Sequence, residues 1–341
     1  LIVGRFLGKD ALAAVGSAYT LMTFLTSILI GLCMGSGAVF SVYYGKKEAL
    51  QMKKSMLASF LFIAAAAVLL SVLSFVFIHP ILHILQVPKS IYDLMYEYVW
   101  VIFWGIGFVF LYNFFAFLLR AMGNSFTPLC FLGIAAVMNI GLDLLFVVSF
   151  GMGAAGAAFA TVLSQAASGL GIGLYVWGKE PELRPGKREL ALDKRTMSEV
   201  IRHSFAASIQ QSVMNFGILM IQGLVNSFGT IVMAAFAAAV KIDTFAYMPA
   251  QEFGNAFSLF ISQNHGAGKA ERIRQGVRRA ALVSAAFCIV ISFFIFLSAP
   301  VLMGFFVEKG ESAIIETGSA YLRIEGAFYC GIGLLFLLYG F

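Results

Sequence analysis

Gly8-Lys-Asp-Ala-Leu-Ala-Ala-Val-Gly16 and Gly229-Thr-Ile-Val-Met-Ala-Ala-Phe-Ala237 stand 221 residues apart and read as two copies of one helix start. The same shift sets Gly45, in the first basic loop, on Gly266, in the last, with no gap needed. A slightly larger shift lays Tyr98 of one tyrosine-led helix over Tyr321 of another. Identities are few, yet loop charges, apolar runs and helix order agree in both copies, which marks an internal repeat.

Outward from those anchors, long apolar runs alternate with short polar breaks. Apolar residues make up 60% of the chain and charged ones 12%, with a mean hydropathy of +0.91. A soluble domain carries about 25% charge, so a soluble fold is excluded. A bilayer core needs about 20 apolar residues per helix. The runs are that long and predict nine helices, at 10–43, 53–84, 91–121, 126–148, 154–178, 200–227, 231–264, 273–306 and 312–341. Pro80, Pro88, Pro128 and Pro300 fall near the breaks, whereas Pro249 lies inside a run and predicts a kink.

The net charge of +6 does not form one nucleic-acid-binding patch, because the basic residues are spread over short loops. Seventeen of the 23 lie in one set of alternate loops, at 44–54, 120–125, 179–203 and 264–279. Only Arg5, Lys9, Lys89 and Lys309 lie in the other set. That bias places the first set in the cytoplasm of a multi-pass plasma-membrane (bacterial inner-membrane) protein.

Both copies put their basic loop on the same side, so the repeats are parallel. The helix at 200–227 has a counterpart of which only Leu1 to Gly8 remain, and those at 126–148 and 154–178 have counterparts beyond Phe341. The expected fold is an all-α polytopic membrane protein of two parallel pseudo-symmetric six-helix lobes, about nine of the twelve helices lying in this sequence. The first lobe is read at 1–178, a charged cytoplasmic linker with Pro181 and Pro185 at 179–203, and the second lobe at 204–341. Both ends are expected to be cut, and the 341 residues alone are expected not to transport.

Five segments carry a family resemblance: Gly8 to Gly16, Arg120-Ala-Met-Gly-Asn124, Met138-Asn-Ile-Gly-Leu-Asp143, Gln263-Asn-His-Gly-Ala-Gly-Lys269 and the six-helix repeat itself. In that order, at those helix ends, they resemble the multidrug and toxic compound extrusion family along the whole chain. The resemblance implies a monomeric antiporter expelling small organic, often cationic, compounds in exchange for Na+ or H+, with no cofactor beyond the coupling ion. A flippase for a lipid-linked or amphipathic substrate is the second reading.

Ionisable groups at membrane depth are functional candidates by default. Asn139 and Asp143 stand four apart and share a helix face. A carboxylate beside an amide oxygen suits a small hard cation or a proton; the alternative is an aspartate that fixes packing through neighbouring hydroxyls. The resemblance implies the first reading, a coupling site for Na+ or H+ at Asn139, Asp143 and Thr161, with a further aspartate from a helix before Leu1.

Lys241, Asp243 and Glu252 lie where the first copy has Thr20, Met22 and Gly31, so the lobes differ in chemistry. Lys241 and Glu252 share a stripe about 16 Å long, and Arg323 and Glu325 are candidates to pair with them across the bundle. These residues, with Gln211 and Asn215 of a helix that also carries Gln210, form the candidate substrate cavity; interfacial snorkelling of Lys241 and Asp243 is the plain alternative. The amides stand near the level of a family glutamate that this sequence lacks, and packing is the competing reading for them.

Other signals carry no chemistry. Gly151-Met-Gly-Ala-Ala-Gly156 spells a dinucleotide fingerprint but joins two apolar helices. His79 and His83 share a face without a third metal ligand nearby, and interfacial placement is the simpler reading. Cys33, Cys130, Cys288 and Cys330 are isolated packing residues. Gly31, Gly35, Gly169 and Gly173 predict close helix contacts. No enzyme is expected, since no histidine and carboxylate cluster lies at one membrane depth.

Overall fold

The computed structural model describes residues 2–85, 87, 89–184, 186, 194–226, 228, 230–305 and 312–339. Leu1, Pro88, Pro185, residues 187–193 of the linker, Gly229, Lys309 and Phe341, which the sequence reading uses, lie outside the described residues.

The described residues fold into helices and no strands: α1 (Ile2–Phe6), α2 (Gly8–Lys46), α3 (Ala49–Val76), α4 (Ile78–Ile84), α5 (Tyr92–Phe103), α6 (Ile106–Ala121) and α7 (Phe126–Asp143). A π-helical segment, Leu144–Ser149, extends α7; then come α8 (Gly153–Lys179), α9 (Lys194–Asn226), α10 (Thr230–Gly266), α11 (Ala270–Gly304), α12 (Ser312–Ala327) and α13 (Tyr329–Tyr339). Past the short α1, they fill the nine predicted ranges, α3 with α4, α5 with α6 and α12 with α13 being paired at short breaks. α9 begins within the predicted linker, six residues earlier than expected.

Five of these helices are long and apolar enough to cross a membrane, or up to seven if each bent pair counts as one span. The bends measure 45° between α5 and α6 and 52° between α12 and α13. Neither sits at a proline, whereas α10 runs through Pro249 as one helix. At the first bend Trp104 and Gly105 donate to the carbonyls of Val101 and Ile102, three residues back, which tightens the turn. A side chain at Gly105 would meet Gln165 and Val162 of α8, so α8 packs into the bend.

The chain divides into two compact units, 1–44 with 48–213 and 45–47 with 214–341. In the first, Phe103, Phe114, Leu118 and Leu119 are fully buried, with Phe114 edge-on to Phe40 and Phe60 at 5.9 and 5.2 Å. Gly31 and Gly35 let α2 approach α9 until a Cβ would collide with the backbone at Ser208 and His203, and Gly169 brings α8 onto the Phe108 carbonyl of α6. In the second unit Ala239, Ile242, Ala299, Leu322 and Tyr329 are buried among α10, α11, α12 and α13. The outward faces are apolar as well: Val68, Leu69 and Val72 on α3, and Val290, Phe293 and Leu297 on α11, are exposed. Stripes of this kind suit lipid rather than water.

Candidate functional site

Asn139 and Asp143 project from consecutive turns of α7, and Thr161 faces them from α8. The Asn139 amide donates to Thr161 Oγ1 at 3.4 Å, while the threonine hydroxyl donates to the Ala157 carbonyl at 3.0 Å. Asp143 is half-buried, and its Oδ1 is shut away without a hydrogen-bond partner. Sequence reasoning did not place Tyr98 here. It is 9% exposed and lies on α5 beside Thr161 and Asp143.

The four residues offer only oxygen ligands (carboxylate, amide carbonyl, hydroxyl and phenol), the set that hard cations prefer. With an orphaned Asp143 oxygen among them, their chemistry suits a small hard cation such as Na+. Directly after Asp143 the helix widens, with Phe150 donating to the Leu145 carbonyl five residues back; π segments recur at functional sites. A cavity of about 320 Å³ adjoins the site, lined by Phe108, Tyr112, Asn113 and Gln165 as well as Asn139 and Thr161.

The second-lobe candidates do not gather as expected. Asp243 of α10 is 5% exposed and accepts a 2.6 Å hydrogen bond from the Tyr329 hydroxyl of α13. Glu325 of α12 meets Asp243 and Tyr321. Its expected pairing with Lys241 is therefore corrected: its charged neighbour has the same sign. Arg323 turns away, its Nε donating to the Phe296 carbonyl at 3.3 Å and its guanidinium lying 5.4 Å from that ring. The cause is periodicity, since residues two apart leave a helix on nearly opposite faces. Lys241 is exposed, and Glu252 accepts from Asn255 at 3.5 Å. Gln211 and Asn215 are half-buried on α9 and belong to different units.

Among the described residues no group of three or more His, Cys, Asp or Glu could hold a metal ion. His79 bonds the Tyr92 hydroxyl at 2.7 Å and stacks on Tyr96. Gly151 and Gly153, with φ of +64° and +62°, form the turn into α8.

Long apolar helices with buried polar clusters and outward apolar stripes define a multi-pass, all-helical membrane protein. The chain belongs to the MatE family, whose profile matches residues 1–145 and 205–341, and that family consists of transporters, not enzymes. It is 30% identical over 340 residues to the probable multidrug resistance protein YpnP of Bacillus subtilis, covering 100% of this chain and 76% of YpnP. With the probable multidrug resistance protein YoeA of the same species it shares 31% over 285 residues, 82% of this chain. The alignment spans only 62% of YoeA. A solved MOP-superfamily transporter from Pyrococcus furiosus superposes with a TM-score of 0.92 at 20% identity, covering 99% of this chain and 76% of that one.

Proposed function

We propose that the protein is a secondary antiporter of the plasma membrane that exports organic, often cationic, compounds in exchange for Na+ or H+, acting as a monomer. The observation that carries this reading is the Asp143 carboxyl, whose buried Oδ1 has no partner and which stands among the oxygens of Asn139, Thr161 and Tyr98. A carboxylate so placed has capacity for a cation or a proton. The names of YpnP and YoeA support the export of drug-like compounds. The basic loops at 44–54, 120–125, 179–203 and 264–279 support a cytoplasmic position for that face. The adjoining cavity offers Phe108 and Tyr112 as aromatic walls and Asn113 and Gln165 as polar contacts for a substrate.

The test is ethidium efflux from cells or vesicles carrying the protein at its full natural length, with Na+ and H+ gradients imposed separately. Gradient-driven efflux that Asp143→Asn abolishes is expected, and the gradient that drives it names the ion. Efflux that ignores both gradients, or survives the substitution, overturns the reading.

A further inference from the structure

Phe296 and Pro300 stand four apart on α11, and the proline, which has no N–H, leaves the Phe296 carbonyl without its helical donor. Arg323 of α12 supplies one: its Nε donates to that carbonyl at 3.3 Å, and its guanidinium lies 5.4 Å from the Phe296 ring centroid. A guanidinium has five N–H groups, and this bond uses one of them. The two terminal nitrogens donate to nothing else among the described residues, and Arg323 is exposed.

A groove of about 350 Å³ begins at Phe296 and lies between α11 and the break that turns α13 by 52° from α12. Phe296, Phe293 and Ile289 form one wall, and Ala327 and Cys330, from either side of the break, form the other. The polar atoms of the lining are turned to the helices: Ser292 Oγ donates to the Gly326 carbonyl at 2.6 Å, and Cys330 Sγ approaches the Ala285 carbonyl at 3.9 Å. What stays open is apolar, with Ile289, Phe293 and Phe296 each more than half exposed.

α11 ends at Gly304 and α12 begins at Ser312, so both ends lie at one membrane face, and the groove deepens away from it. Arg323 stands eleven residues into α12, about 16 Å from its start, near the depth of one leaflet's hydrocarbon, about 15 Å. Helical side chains lean toward the N-terminus, which carries the guanidinium toward that leaflet's headgroups. A cation with open N–H groups on a lipid-facing surface is costly at this depth unless an anion meets it.

We propose that this groove binds one anionic phospholipid of the adjoining leaflet, its phosphate on Arg323 and one acyl chain laid between α11 and the break from α12 to α13. The terminal nitrogens of a guanidinium pair two oxygens of a phosphate at once. Below the arginine the open lining is hydrocarbon and aromatic, which suits a chain and rejects a free phosphate or a peptide with unpaired backbone groups. Charge above and an apolar groove below are the two halves of a phospholipid, in the order in which a leaflet presents them. The inference rests on the membrane placement of the helices and not on the transport reading.

Native mass spectrometry of the purified full-length protein, stripped of lipid in detergent and titrated with phosphatidylglycerol, tests it. One lipid held more tightly than the rest is expected. Arg323→Gln should weaken it about tenfold or more, the scale of a lost charge-assisted hydrogen bond. Ala327→Phe, which fills the groove and keeps the charge, should weaken it as well, whereas Arg278→Gln, at the other end of α11, should not. Glycerol phosphate, which has the phosphate without the chains, should fail to compete. The proposal is overturned if Arg323→Gln or Ala327→Phe holds the lipid as the wild type does, if Arg278→Gln loses it equally, or if glycerol phosphate displaces it. Elution as a single species on size exclusion shows that each variant is folded.

Discussion

The hydroxyls of Ser36 on α2 and Ser204 on α9 hydrogen-bond across 2.8 Å, though 168 residues separate them in sequence. The same seam carries Tyr43 donating to Glu199 at 2.7 Å and Ser208 donating to the Ile28 carbonyl at 3.1 Å. Gly31 and Gly35 make the approach possible, because a side chain at either would strike the backbone of α9. Gly35→Val should therefore cost about 1–3 kcal/mol through overpacking. Ser36→Ala should cost only about 0.6 kcal/mol, the usual worth of one interhelical hydrogen bond in a membrane. Thermal unfolding in detergent separates the two; equal losses of Tm would show that the hydroxyl pair rather than the close approach secures the seam.

At the proposed coupling site, Thr161→Val keeps the shape of the side chain and removes an oxygen. The ion concentration for half-maximal efflux should rise about tenfold, the scale on which a supporting ligand acts. Tyr98→Phe should raise it less, since Tyr98 reaches the site through Thr161. An unchanged ion requirement in Thr161→Val would remove Thr161 from the site.

Arg323 provides a negative control. With its guanidinium held at Phe296, reversing Arg323 and Glu252 together should give only the sum of the two single effects on efflux, as independent sites do. Rescue of Arg323→Glu by Glu252→Arg would mean that the two charges meet.

The loop assignment is open to labelling. A membrane-impermeant maleimide added to whole cells should modify His79→Cys, beside the Tyr92 end of α5, and spare Glu48→Cys in the first basic loop. The reverse pattern would invert the topology.

Much of the architecture was legible because a bilayer leaves few alternatives: every backbone group must be bonded internally, so apolar runs become helices. Asn139 and Asp143 were legible as neighbours from their spacing of four. Tyr98 was not, since one sequence does not say which face of α5 turns to α7 and α8. The separation of Arg323 from Glu325 was implicit in their spacing of two, yet charge alone suggested that they act together. The 45° bend between α5 and α6 was not legible because it coincides with packing, Gln165 and Val162 against Gly105, with no proline to announce it. Pro249 was legible as a proline inside a helix, and α10 does run through it.

The π-helical stretch from Leu144 to Ser149 starts at the residue after Asp143. A regular helix resists twisting because turning any part of it breaks bonds along its length, and membrane hydrocarbon offers no replacement partners. A stretch already wound one residue wide can tighten into α-helix by exchanging its own bonds. Any change of charge at Asp143 therefore falls one residue from a stretch of backbone that can exchange hydrogen-bond partners without leaving one unpaired in the membrane.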